Sequence, residues 1–174
     1  LYLREHHAKE AVPLLLDMLL NDPEPTIRIG LIKTLTELDA RESIPYLLDF
    51  MKLESELNVQ IATLSALGHL QAKEAIPLIM VLLKQPEMPE LLGKMALWVL
   101  QQLKQRVVCH DLVSCLLLPS FPAPLKQIVI TVLLDLQAME ELIVAFPQLD
   151  PPLQQILFTH LSERDIHEPM STLM

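Results

Sequence analysis

Few side chains in this sequence have the type and spacing for chemistry. His6 and His7 are adjacent. Neighbours on a helix point about 100° apart, which is poor geometry for chelation, so the pair reads as a solvated helix end. Cys109, His110 and Cys115 suggest a metal site. Their spacing matches no structural zinc pattern and a second pair of ligands is missing, so both cysteines read as buried core residues. Glu140-Glu141 and Asp150 are candidate paired carboxylates for acid–base work. Nothing in the sequence places them in a cleft, and a solvated face is the better reading. Gly30, Gly68 and Gly93 build no phosphate loop; all three fall inside helical patterns, where close helix packing explains them. A nucleophile elbow, an HExxH pair and a calcium-binding loop are also absent. The expectation is a protein without catalytic residues, metal or cofactor.

Charge narrows the partners. The formal net charge over 174 residues is −9. Residues 1–104 hold 10 basic and 14 acidic residues, and residues 105–174 hold 3 and 8. Neither part offers the basic stripe that nucleic-acid binding needs. Two cysteines six residues apart are no disulfide framework and fit a reducing, cytoplasmic setting. No apolar run approaches the ~20 residues that span a bilayer. The length suits one domain with a real core.

The elements that would position any site come from a repeated phrase. "AKEAVPLLLDML" (8–19) returns as "ARESIPYLLDFM" (40–51) and as "AKEAIPLIMVLL" (72–83), with Pro13, Pro45 and Pro77 each 32 residues apart. In the second copy Ile44, Leu47, Leu48 and Met51 form an i, i+3, i+4, i+7 stripe, the mark of an amphipathic helix. Proline is tolerated near the start, where N–H groups lack a helical partner. Asp39 with Glu42 three residues on resembles an N-terminal cap. A second stripe follows each phrase: "IRIGLIKTLTEL" (27–38), "VQIATLSALGHL" (59–70) and "LGKMALWVLQQL" (92–103). Breakers such as "NDPEP", "QPEMP" and "LPSFPAP" link the stripes. Weaker pairs follow at about 107–118 with 124–137, and at about 138–147 with 151–162. Leu3 lies one period before Leu35, so residues 1–7 read as the tail of a preceding second helix, and the chain as a fragment of a longer one.

One amphipathic pair cannot bury its own apolar face, so pairs stack and share a core. The expected fold is all-α: a single right-handed α-solenoid of helix–turn–helix repeats with a period of about 32 residues. Three clear repeats occupy 8–104, two divergent ones 105–162, and 163–174 is a tail. The phrase "AKEAIPLI" followed by a V-x-x-x-A-x-x-AL-x-x-L stripe resembles the short HEAT-like repeats named after phycobilisome lyases. The signatures of ankyrin and tetratricopeptide repeats are absent. The family usually carries Asp and Arg around the start of the second helix. Asp22 and Arg28 keep both in the first repeat, and Gly93 stands at the Arg position of the third. Arg28 is expected to hold the turn at Asp22 and Glu24.

The resemblance implies that stacked second helices line the concave side. Ridge positions outside the core stripe are Ile29, Lys33, Thr36 and Glu37; then Ile61, Ser65, Gly68 and His69. The row continues with Lys94, Trp98, Gln101 and Gln102, then Gln127, Thr131, Leu134 and Asp135. Ile29, Lys33, Ile61, Ser65, His69, Lys94, Trp98, Gln102, Gln127 and Thr131 are the candidate partner-binding residues. Trp98, the sole tryptophan, and Ile61 are the expected apolar anchors. Burial of Trp98 between repeats is the competing reading. Val107–Leu134 holds two charges, Asp111 and Lys126, and "DLVSCLLLPSF" is apolar nearly all round. Such a helix is covered on several sides. The C-terminal pair is the expected cover, and a dimer through 107–134 is the alternative.

The function expected is a non-catalytic scaffold that binds a protein, a peptide or a neighbouring domain of its own parent chain. The resemblance also admits a component of a bilin lyase, with His69 or Cys109 touching the tetrapyrrole. A third reading is a cytosolic regulatory or spacer module of a larger membrane or signalling protein.

Overall fold

The computed structural model describes the backbone of residues 10–165 and side chains as far as His160. The regions 1–9 and 166–174 lie outside it, and so do the readings placed on His6, His7 and Leu3. Among the described residues every regular element is helical. The α-helices run α1 (Val12–Asn21), α2 (Pro25–Glu37), α3 (Ile44–Leu53), α4 (Leu57–His69) and α5 (Ile76–Leu83). They continue with α6 (Glu90–Leu103), α7 (Cys109–Leu117), α8 (Ala123–Asp135), α9 (Met139–Ala145) and α10 (Pro151–Asp165).

The repeated phrase does not open as a helix. A 3-10 turn comes first, at Arg41–Ser43 and again at Lys73–Ala75, and the α-helix follows from Ile44 and Ile76. Pro45 and Pro77 thus stand within the first two helical positions, as Pro13 does in α1, where a missing N–H costs nothing. Asp39 is not an N-terminal cap. Its φ is +47°, the left-handed conformation that closes the preceding helix. Gln71, Lys104 and Gln137 adopt the same conformation, with φ of 56°, 50° and 58°. In three of these turns the next residue is alanine, and its N–H donates back across the helix end. The bonds are Ala40 to Leu35 O (3.1 Å), Ala72 to Leu67 O (2.9 Å) and Ala138 to Leu133 O (2.9 Å). Ala40, Ala72 and Ala138 are fully buried, which explains the small residue at the head of the second and third phrases. After Lys104 the chain has Gln105 instead.

That junction is where the chain divides into two compact units, residues 1–105 and 106–174. In the first unit α1 packs on α2, α3 on α4 and α5 on α6, while α4 lies between α2 and α6. Leu35, Leu47, Leu64, Leu67, Ile79 and Leu97 are fully buried there. Each buried side chain of this size contributes about 1.5–3 kcal/mol relative to exposure. In the second unit α7 packs on α8, α9 covers α7 and α10 covers α8. Within the apolar stretch 107–134, Leu112, Cys115, Val129 and Leu133 are fully buried. Val107 and Leu118 remain exposed.

Candidate interaction surface

The second helices of the first unit come close because one of them carries glycine. Gly68 on α4 is buried, and a Cβ placed on it would stand 2.7 Å from Trp98 Cζ3 on α6. The indole therefore sits directly on the α4 backbone. The ring of His69 lies beside it, with centroids 5.3 Å apart and planes tilted by 57°. Trp98 is half-buried and His69 exposed. The anchor expected from sequence is thus part core, part surface. Gly68, placed on the ridge by its periodicity, is instead the floor beneath Trp98. Leu134, assigned to the same ridge on α8, is also buried.

The rest of the row divides by environment. Ile29, Ile61 and Ser65 are half-buried, while Lys33, Lys94 and Gln102 differ: the two lysines are exposed and Gln102 lies along the last turn of α6. Lys94 Nζ pairs with Glu90 Oε1 at 2.6 Å along its own helix. Lys33 has no acidic partner among the described residues. Gln127 and Thr131 are exposed on α8 of the second unit, where Thr131 Oγ1 donates to Gln127 O at 3.2 Å. Eight of the ten candidates therefore belong to the first unit and two to the second. Of the row, His69 and Trp98 are brought into ring contact. Gly30, by contrast, has nothing within 4 Å of where a Cβ would stand, so close packing does not explain it.

Arg28 holds the turn at Asp22, as expected, and also reaches beyond it. Its Nη1 donates to the backbone carbonyls of Asp22 and Pro23, both at 3.1 Å, and not to the carboxylates of its own turn. Its Nε and Nη2 face the Glu54 carboxylate at 3.0 and 3.3 Å. Glu54 is 5% exposed and also accepts the N–H groups of Ser55 and Glu56 at 2.9 and 2.8 Å. One buried carboxylate thus ties α2 to the turn of the next pair. In the second unit the cation is the buried partner: Lys126 is buried, and its Nζ reaches the exposed Asp150 carboxylate at 3.5 Å. Glu54 was legible in principle, because it lies 32 residues after Asp22. The cation reaches forward to the following turn, which a search within one repeat misses.

The residues suspected of chemistry do not assemble. Glu141 faces Arg106 at 3.5 Å and Asp150 faces Lys126, so the carboxylates pair with cations and not with one another. Cys109 and Cys115 are both buried on α7. Burial pushes the Cys109 thiol above its ordinary range, the Glu141 charge adds to this, and Arg106 opposes it. Among the described residues no group of three His, Cys, Asp or Glu could hold a metal ion.

The segment from Val59 to Gln85 holds most of α4, the left-handed turn at Gln71, the 3-10 turn and α5. Residues 59–85 match the PBS lyase HEAT-like repeat. The match therefore runs from the second helix of one pair through the first helix of the next. No curated protein matches the chain. No described helix is long and apolar enough to cross a membrane.

Proposed function

We propose that the chain is a right-handed α-solenoid of HEAT-like repeats, about 32 residues each, that serves as a non-catalytic scaffold. It binds a protein or peptide partner, or a neighbouring domain, on the face made by its second helices. The stacking of α2, α4 and α6 and the recurring left-handed turn with a buried alanine support the solenoid. The observation that carries the binding reading is Trp98, a large aromatic fixed against Gly68, half-open to solvent and flanked by exposed His69. A rigid, half-open aromatic is the kind of residue that anchors an interface.

The test is affinity capture with the native protein and with Trp98→Ala. A partner held by the native chain should bind the variant more weakly by about 2 kcal/mol, with folding retained. Equal capture by both would remove the row from consideration. A component of a bilin lyase is the second reading, supported by the family of the repeat at 59–85. Cys109 would serve it poorly, since its thiol is buried and disfavoured from ionising. Titration with a bilin, read by its visible absorbance, separates the two.

A further inference from the structure

The second helices share one register, and it separates the two faces of each helix pair. Each helix follows a residue whose carbonyl accepts its first N–H groups: Glu24, Glu56, Pro89, Pro122 and Asp150. The third residue after it is buried as Val59 on α4 and as Leu92 on α6, but Ile27 on α2 is 45% exposed. The tenth is buried as Ala66 and Val99, but Thr34 is exposed. Val99 lies against Gly68 of the preceding pair, so these positions face backward along the stack. The first helices agree: Phe50 and Leu82 are buried, whereas Met18, 32 residues before Phe50, is 41% exposed. The eighth position faces forward. Ile32 is buried although the backward face of its own pair is open, and so are Leu64 on α4 and Ile130 on α8. Phe158, at the same position on α10, is 66% exposed, with its ring 6.1 Å from that of Phe146.

Pair α1–α2 thus has an open backward face around Met18 and Ile27, and pair α9–α10 an open forward face around Phe158. Inside each unit such faces close on one another, forward on backward, where α2 meets α4, α4 meets α6 and α8 meets α10. The interface already made inside the chain therefore names the occupant of each open face, which is the other face. Residues 1–9 correspond by the 32-residue period to 33–41, beyond Ile32, and so carry no counterpart of it. Phe158 is such a counterpart. We infer that copies of this chain associate head to tail, the forward face of α9–α10 in one copy seated on the backward face of α1–α2 in the next, with Phe158 against Met18 and Ile27. The contact continues the pair-on-pair stacking proposed above, rests on that reading, and is separate from the row around Trp98. It is heterologous, so every added copy leaves one face of each kind open and association grows with concentration. Few apolar side chains take part, which makes it weak and reversible.

Sedimentation velocity of the whole chain at rising concentration tests this. The native chain should pass from monomer to dimer and then to larger species as it approaches about 1 mM. Ile27→Glu and Phe158→Glu should each stay monomeric alone, with the circular dichroism unchanged. Mixed in equal amounts, the two should form a dimer and nothing larger, because one supplies the intact forward face and the other the intact backward face. Val81→Glu changes another exposed apolar residue, at a position held by Asp17 and Asp49 in the earlier pairs, and should associate like the native chain. Trp98→Ala should do so too, which keeps failure here distinguishable from failure of the partner-capture test. The inference is overturned if the native chain stays monomeric up to about 1 mM. It is also overturned if the mixture of the two variants stays monomeric, or if Val81→Glu weakens association as much as Phe158→Glu does.

Discussion

Gly68 and Trp98 are in contact with no room for a side chain between them: a Cβ on residue 68 would meet Cζ3 of the indole at 2.7 Å and Val99 Cγ2 at 3.3 Å. The contact joins α4 to α6 and holds the half-open tryptophan in place. Gly68→Ala gains about 1 kcal/mol of helix propensity. It also forces an overpacked junction, which costs about 1–3 kcal/mol. The expected net effect is lower stability in denaturant unfolding, with a red shift of Trp98 emission. In a Trp98→Leu background the clash is relieved, and the same substitution should turn neutral or stabilising. Equal effects in both backgrounds would show that the two residues do not touch.

Gly30 gives the opposite expectation. It is exposed within α2 and nothing lies within 4 Å of where its Cβ would be. Gly30→Ala should therefore raise stability by about 0.8–1 kcal/mol, the propensity difference alone. A loss on thermal unfolding would reveal a contact at this position.

The ion pairs differ in their dependence on burial. Glu54 is 5% exposed and Arg28 13%, and removing the acid strands the guanidinium. Glu54→Ala should cost about 3 kcal/mol, since it breaks a largely buried pair and frees two backbone N–H groups. Asp49→Asn, in a pair whose side chains are 77% and 58% exposed, should change stability by less than about 0.5 kcal/mol. Lys126 is 8% exposed, yet its partner Asp150 lies in solvent at 3.5 Å. Lys126→Met should be neutral or stabilising by about 1 kcal/mol, because an apolar side chain of similar length avoids desolvating a charge. Urea unfolding of the three variants ranks them, and a Glu54→Ala effect as small as that of Asp49→Asn would contradict the assignment.

Periodic features of this fold were open to reading from sequence, and pairwise ones were not. The prolines at 13, 45 and 77 located the first helices because proline is confined to a helix start. The starts still came out early, since "AKEA" and "ARES" favour helix locally while the chain spends those residues on a 3-10 turn. Asp39 misled for a physical reason: aspartate suits both an N-terminal cap and a left-handed turn. The buried Ala40 one residue later was the deciding signal. Trp98 fell on the predicted ridge, but its depth depends on which residue of α4 faces it, and that is a property of packing. Glu54 was hidden because Arg28 reaches across a repeat boundary.

The left-handed turns give a backbone prediction. Gln71 has φ of 56°, a conformation that costs a non-glycine residue about 1 kcal/mol and a β-branched one more. Gln71→Val should lower stability by about 1–2 kcal/mol, whereas Gln71→Gly should hold or raise it. The opposite order in thermal unfolding would mean that the turn after α4 does not close in this form.

Cys109 supplies a test by pH. Burial, aided by the Glu141 carboxylate, raises its thiol above the ordinary value of 9.0, against a smaller pull from Arg106. The unfolded chain therefore loses this proton at a lower pH than the folded one does. The contribution is constant below about pH 9 and is lost as the pH climbs from there through the folded value. Unfolding midpoints in guanidinium should accordingly fall as the pH is raised from about 8 to about 10, and Cys109→Ala should reduce that fall whatever it does to stability at the lower pH. Alkylation offers a second reading of the same group. With a buried thiol, iodoacetamide should label Cys109 slowly, at a rate that follows unfolding and rises with added denaturant. Rapid labelling at neutral pH in the native state would show a thiol that is exposed and readily ionised, and would reopen Cys109 as a reactive group.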